Sequence, residues 1–317
     1  MASVSRLGED GLIARLRQRL RRTRSVVVGI GDDAAVLRLL AGHQLVFASD
    51  MIVEGVHFRR REVPARWIGW KALACNISDV AAMGAQPVAA VVSLGLPPRT
   101  SVRFVEQLYA GLQRCAERFD MAVVGGDTVR APVVVVDVAI LGAVRPGRAV
   151  LRSGAKPGDR LYVTGRLGGS LSRGRHARFL PRLYQAQWLI THLRVHAMMD
   201  LSDGLAMDLR RMSRASQVGI GIREDAVPVH PDARRCRRRT CPCRAWAGGS
   251  GVWHALMDGE DFELLFAISP AQAARLPRMI GRVSVTEIGC IREGRAVTVV
   301  RHDGRLQRLA PEGFRHF

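Results

Sequence analysis

Apolar runs rich in Val, Ile and Leu alternate along this chain with segments whose apolar residues recur every three to four positions, the pattern of mixed α/β layers. The runs predict strands at Ser25–Ile30, Leu45–Ser49, Val88–Leu96, Met121–Val124 and Val133–Val144. Trp67, Trp70, Leu73, Ile77 and Val80 keep a helical stripe through 65–83, and a second helix fits 101–118. After a Pro- and Gly-bearing stretch at 145–158 the pattern restarts. It predicts a strand at Arg160–Thr164, a helix from Ser202 to about Met212 and a strand at Phe262–Ile268. The expectation is two α/β domains, 1–147 and 148–317, with no internal repeat. Arg234–Arg244, with six arginines and three cysteines, has no apolar period and reads as a solvated loop.

With 317 residues, 48% of them hydrophobic, the chain can fill a sizeable core, and disorder is excluded as the main state. A formal charge of +20 favours polyanionic partners: nucleotides, phosphorylated metabolites or nucleic acid. The only lysines are Lys71 and Lys156, and so lopsided a use of arginine points to compositional bias rather than to a specific nucleic-acid surface. An aromatic content of 5% also offers little base stacking. Leu12, Ile13, Leu16 and Leu20 fall on one face of a basic helix, with Glu9 and Asp10 before it and no apolar leader core. The uncharged stretch Val80–Pro98 is broken by Gly84, Gln86, Pro87 and Ser93. A cytoplasmic protein without membrane association is therefore expected. Cys75, Cys115 and Cys290 read as core thiols, and nothing demands a disulfide framework.

Against this basic background the informative residues are acids beside Gly or Ser where apolar strands end. Asp32 and Asp33 follow Gly29-Ile30-Gly31, Asp50 follows Leu45–Ser49, and Asp127 follows Gly125-Gly126. Asp200 and Asp203 bracket Leu201-Ser202, and Asp79, with Asn76 one turn earlier, adds a polar face to an apolar helix. Carboxylates that converge repel one another, and bound cations are the usual compensation. Hard oxygen donors without paired histidines favour Mg²⁺, which completes its shell with water and substrate phosphates. Each acid also has a plainer reading as a turn or cap residue; Ser202 or Asp203 would cap the helix that carries Leu205, Leu209 and Met212.

Gly29, Gly31, Gly125 and Gly126 allow backbone N–H groups close to a phosphate, yet neither a P-loop nor a dinucleotide fingerprint is present. His57, after Val53-Glu54-Gly55-Val56, is a loop residue or a phosphate ligand. Cys236, Cys241 and Cys243, with His230 and His254 outlying, lack standard zinc spacing.

Several of these segments together resemble the thiamine-monophosphate kinase family. They are Gly29–Leu37, Ser49–Phe58, Gly69–Ala85, Val124–Thr128, Arg152–Asp159, Met199–Leu205 and Gly259–Leu264, in order from about residue 8 to the closing Gly313–Phe317. Val-Glu-Gly-Val-His-Phe and Ser-Gly-Ala-Lys-Pro-Gly-Asp separate this family from its relatives. The resemblance implies a two-domain α/β fold like aminoimidazole ribonucleotide synthetase, a homodimer formed through the N-terminal domains, and ATP-dependent conversion of thiamine monophosphate to thiamine diphosphate. It further implies Mg²⁺ at Asp33, Ser49, Asp50, Asp79, Asp127, Asp200 and Asp203. ATP would meet Tyr109, Gly126, Asp127, Arg152 and Ser202, and thiamine phosphate would meet His57, Glu260 and Phe314. Asp50 and Asp127 would stabilise charge through the metal, with no side chain serving as acid or base.

The chain also departs from the family pattern. Ala48 stands before Ser49-Asp50 where Ser-Thr-Asp is usual, the 170–199 segment is short, Asp258 replaces a usual Gly, and Arg234–Arg244 has no family likeness. The nearest alternatives are the same fold acting on another acceptor, as in aminoimidazole ribonucleotide synthetase or selenophosphate synthetase, and a basic RNA-binding protein descended from a kinase.

Overall fold

In the computed structural model, residues 26–28, 36–37, 41–235, 241, 243, 250–309 and 313 are described. The N-terminal helical pattern, Asp32, Asp33, Cys236 and Phe314 lie outside them. The chain forms two units. The first comprises the chain up to Ala81 with Ala85–Gly147 and Ala177–Leu180; the second comprises Ala82–Gly84, Arg148–His176 and the chain from Pro181 onward.

In the first unit, β1 (Val26–Val28) and β2 (Val36–Leu37) form a small antiparallel pair. There follow β3 (Gln44–Val53), α1 (Ala65–Ala82), β4 (Gln86–Leu96), α2 (Val102–Arg118), β5 (Ala122–Arg130) and β6 (Val135–Val144). Their sheet order is β3-β6-β4-β5. β6 runs antiparallel to both its neighbours, whereas β4 and β5 are parallel, as a crossover through α2 requires. Ser101 starts α2 by accepting the Phe104 N–H on its hydroxyl.

Alternation decides what each face of this sheet meets. Val136, Val138 and Ile140 of β6 and Val92 of β4 are wholly buried, and α1 packs on that face: a Cβ at Gly142 would lie 2.8 Å from Val80 Cγ1. On the opposite face Leu45, Phe47 and Met51 of β3 and Val91 of β4 are exposed, Phe47 to 71%.

The second unit contains β7 (Arg160–Thr164), α3 (Leu183–His192), β8 (Val195–Asp200), α4 (Leu205–Ser216), β9 (Gly219–Arg223), α5 (Ser250–Met257) and β10 (Leu264–Ile268). It continues with α6 (Pro270–Ala273), β11 (Met279–Ile280), β12 (Val283–Arg292), β13 (Val297–Val300) and β14 (Leu306–Arg308). The main sheet runs β14-β13-β9-β12-β7-β10-β8, with β11 paired to β12. Leu161, Val163, Leu265 and Ala267 of its central strands join Leu205, Leu209 and Met212 of α4 in one buried cluster. No helix among the described residues is long and apolar enough to cross a membrane.

Two strands run further than the hydrophobic pattern predicts. β3 continues through Ser49 and Asp50 to Val53, paired residue for residue with β6, so Asp50 sits inside a strand rather than at its end. β5 likewise continues through Gly125-Gly126-Asp127 along β4. Cross-strand pairing with apolar neighbours outweighs the poor strand propensity of Ser, Gly and Asp.

Candidate functional site

In the first unit the strand registers sort the acids. Asp50 lies opposite Val138, which lies opposite Val92 and then Gly126. This row belongs to the face that α1 covers, and Asp79 is carried by α1 itself. The next row runs Met51, Asp137, Ser93, Asp127. Ser49 shares that second face and donates its hydroxyl to Asp137 Oδ1 at 3.0 Å. Asp127 Oδ1 accepts the Thr128 N–H at 2.8 Å. Ser49, Asp127 and Asp137 thus share one face of the sheet, and Asp50 lies on the other. Gly126 must be glycine for a packing reason: a Cβ there would stand 1.9 Å from the Val92 carbonyl oxygen.

The Val53–Phe58 turn is built by its own backbone and by one buried cation. Gly55 N–H donates to Phe58 O and His57 N–H to Val53 O. Val53 N–H in turn donates to His57 Nδ1 at 3.0 Å. That bond makes Nδ1 the acceptor and leaves the proton of the neutral imidazole on Nε2, a donor suited to a phosphate oxygen. Lys71, wholly buried in α1, donates to the His57 carbonyl at 2.8 Å. Glu54 closes the turn by accepting from Arg60 Nε at 2.6 Å and from Val134 N–H at 3.2 Å. Tyr109 is buried, only 5% exposed, and burial pushes its hydroxyl up to about 12.

In the second unit Asp200 ends β8, and the loop after it is laced to the turn before β10. Leu201 N–H donates to Glu263 O, Phe262 N–H to Leu201 O and Glu260 N–H to Ser202 O. The helix α4 begins at Gly204 without a side-chain cap, so neither Ser202 nor Asp203 serves as the cap that sequence allowed. Asp203 is instead bound by Arg211, which also donates to Asp208 at 2.7 Å. Asp208 is fully buried, and burial, with Asp200 and Asp203 adding to it and Arg211 opposing, pushes its carboxyl up to about 7.

The turn carrying Glu260 is braced on both sides. Asp261 accepts from Gly168 N–H at 2.7 Å and from Arg175, while Glu263 is held by Thr164 and Arg182. Glu260 Oε2 lies 3.1 Å from His176 Nδ1. Glu260 and Phe262 both have positive φ, 64° and 51°, an arrangement that costs of order 1 kcal/mol or more per residue. Gly313, just before Phe314, approaches the Asp203 carbonyl so closely that a Cβ would stand 2.5 Å from it.

Asp200, Ser202, Asp203 and Glu260 are therefore brought together in the second unit. Arg152 is not beside Ser202 through its backbone: its carbonyl accepts from Ser216 Oγ at the far end of α4, a helix about 18 Å long. Asp33 and Phe314 lie outside the described residues. Asp159 of the Ser-Gly-Ala-Lys-Pro-Gly-Asp segment is a brace, accepting from Lys156 N–H at 2.8 Å and meeting His196 Nδ1 at 2.9 Å. Sequence reasoning missed Asp137, Asp208 and Lys71 as neighbours of the site. Their signals were present: an acid interrupting Val133–Val144, an acid in the first turn of a helix that follows two others, and a lone lysine in an apolar stripe.

Comparison with known proteins places this geometry in a family. The chain matches the model of the AIR synthase related protein N-terminal domain over residues 31–144 and that of the C-terminal domain over 156–302. It is 38% identical to the thiamine-monophosphate kinase of Rhodopirellula baltica, with 97% of each chain covered. The corresponding figures for the thiamine-monophosphate kinase of Synechococcus elongatus are 36% identity, 99% of this chain and 98% of the other. Among solved structures, the thiamine-monophosphate kinase of Stenotrophomonas maltophilia superposes with a TM-score of 0.79 at 33% identity, covering 93% of this chain and 96% of that one. AaThiL complexed with AMPPCP and TMP gives 0.75 at 30%, covering 100% and 99%. The hydrogenase maturation protein HypE of E. coli, at 21% identity and a TM-score of 0.76, shares the fold. A two-domain α/β chain with these matches along nearly its whole length belongs to the thiamine-monophosphate kinase family, phosphotransferases built on the AIR-synthase-related fold.

Proposed function

We propose that this chain phosphorylates thiamine monophosphate to thiamine diphosphate at the expense of ATP, by direct in-line transfer of the γ-phosphoryl group. The observation that carries the reading is the near-full-length likeness to AaThiL complexed with AMPPCP and TMP. It is joined by a His57 turn whose backbone and tautomer are both held by hydrogen bonds. The acceptor is a phosphate monoester with a second pKa of about 6, so its attacking oxygen is already anionic at neutral pH and needs no general base. What opposes the reaction is repulsion between two polyanions, and the work of the protein is positioning and charge stabilisation.

The donor set fits Mg²⁺. It consists of carboxylate and hydroxyl oxygens, and the field of Asp200 and Asp203 is strong enough to help raise a neighbouring carboxyl. In the first unit Asp50 and Asp79, on the side of the sheet that α1 covers, and Ser49 and Asp127, on its other face, would hold separate ions, with Asp33 assigned to the same role; in the second unit Asp200 and Asp203 would do so. When bound, Mg²⁺ supplies neutralisation of the phosphate charge. Gly126, Asp127, Arg152, Ser202 and Tyr109 are assigned to ATP, and His57, Glu260 and Phe314 to thiamine phosphate. His57 Nε2–H would donate to the acceptor phosphate, and the braced Glu260 carboxylate suits the cationic thiazolium ring.

The exposed face of the first sheet supports a homodimer. Leu45, Phe47, Met51 and Val91 form an apolar stripe of the kind that a second copy covers. Incubation of purified protein with ATP, Mg²⁺ and thiamine monophosphate should yield ADP and thiamine diphosphate in equal amounts, read by chromatography. Robust ATP turnover on another phosphate acceptor with none on thiamine monophosphate would sink the substrate assignment.

A further inference from the structure

The Arg234–Arg244 segment answers to no hydrophobic period, and its cysteine spacing matches no standard zinc pattern. The fold nevertheless brings two of its cysteines to a histidine from outside it. The ligand atoms of Cys241, Cys243 and His254 all lie within 4.8 Å of one another, and Cys241 Sγ stands 3.7 Å from His254 Nε2. Zn–S and Zn–N bonds of about 2.3 and 2.0 Å at a tetrahedral angle separate sulfur from nitrogen by roughly 3.5 Å. Cys243 is buried, Cys241 half-buried, and neither is in a disulfide.

The imidazole is oriented from behind. His254, on α5, directs Nδ1 at the Asp258 carboxylate, 2.9 and 3.0 Å from its two oxygens. Nδ1 therefore carries the proton and donates it, and Nε2 presents a lone pair on the side where Cys241 lies. Asp258 is itself fixed by the Gly169 N–H, which donates to Oδ2 at 2.8 Å. A carboxylate–histidine pair aimed at thiol sulfurs is how proteins orient an imidazole ligand to a metal. Two departures from the family pattern, Asp258 and the cysteine-bearing segment, thus meet at one point.

We propose that Cys241, Cys243 and His254 bind one zinc(II) ion, which ties the two cysteines to α5. Two thiolates and a neutral imidazole suit a borderline-soft divalent cation and not Mg²⁺, which separates this centre from the oxygen donors of the phosphoryl-transfer site. Binding releases the two thiol protons and leaves a centre of zero net charge, with the fourth position filled by solvent.

The test uses the full chain, freed of any affinity tag and purified in reductant without chelator, with metal measured by mass spectrometry. The expected result is about one zinc per chain after dialysis against equimolar zinc, and under about a tenth in the Cys241→Ser, Cys243→Ser double variant. Cobalt(II) should give a thiolate charge-transfer band in the parent that the double variant lacks. Should the double variant fold poorly, Asp258→Asn keeps both thiols and removes only the orienting charge. It should bind zinc roughly 10- to 100-fold more weakly against a chromophoric chelator, with its melting temperature near that of the parent. A parent that stays metal-free when offered zinc, a double variant that keeps its zinc, or an Asp258→Asn variant with parental zinc affinity would each overturn the proposal.

Discussion

The carboxylates of the two units are held by opposite means. In the first unit Asp50 and Asp127 are strand residues, exposed, and positioned by backbone ladders to Val138 and Ser93. In the second, Asp200 and Asp208 are buried and Asp203 half-buried, and Arg211 is the brace that makes their mutual repulsion tolerable. A ladder fixes an acid without asking what charge it carries. A cluster around an arginine needs that arginine whether or not a ligand is bound.

The sharpest way to break this comparison is to remove charge from the strands. Asp50→Asn and Asp127→Asn should each lower turnover by roughly 100-fold or more while leaving the melting temperature within a few degrees of the parent. Loss of folding comparable to loss of activity would make these acids structural. Next in size is Arg211→Met. It leaves Asp208 buried without its cation and should cost about 2 kcal/mol in chemical denaturation, the partial exposure of the guanidinium holding the figure at the low end. Adding Asp208→Asn should return a large part of that loss, and a strictly additive double variant would refute the brace.

A pH series sharpens the second half. Burial foremost pushes Asp261 up to about 7, with Arg175 opposing, so between about pH 4 and 7 the folded state keeps a proton that the unfolded chain has released. The stability this group contributes is full below the unfolded value and is lost as pH rises through 7. The melting temperature of the parent relative to Asp261→Asn should therefore fall from pH 5 to pH 8; a constant difference would contradict the assignment. The smallest effect belongs to the exposed face of the first sheet. Ser49→Ala removes the hydrogen bond to Asp137 and should change stability by no more than about 0.5 kcal/mol, measured by urea denaturation.

How far the chain was readable varied with how local the cause was. β7 occupies the predicted Arg160–Thr164, because a short apolar run bounded by Asp159 and Gly165 needs no distant information. The ends of β3 and β5 were not legible: Ser49-Asp50 and Gly125-Gly126-Asp127 look like strand terminators until β6 and β4 lie alongside them. Asp200 and Asp203 were visible as acids at a strand end, yet the Arg211 that binds Asp203 is eight residues away on a helix turn, as ordinary in sequence as any of the arginines around it. Lys71 stands out in the sequence only as one of two lysines; its part in holding the His57 turn was not legible, since burial of its whole side chain against that turn is a tertiary fact.

The left-handed backbone at Glu260 and Phe262 has a practical consequence for anyone improving this protein. Glycine adopts those angles at no steric cost, so Glu260→Gly relieves strain at a position where the side chain, not the backbone, is what the proposed reaction uses. A screen that rewards heat resistance alone would therefore be drawn toward that substitution and select sturdier proteins that have lost their hold on the substrate. Selection for thermostability and selection for turnover pull in opposite directions at this turn, and a library built here has to be scored on both.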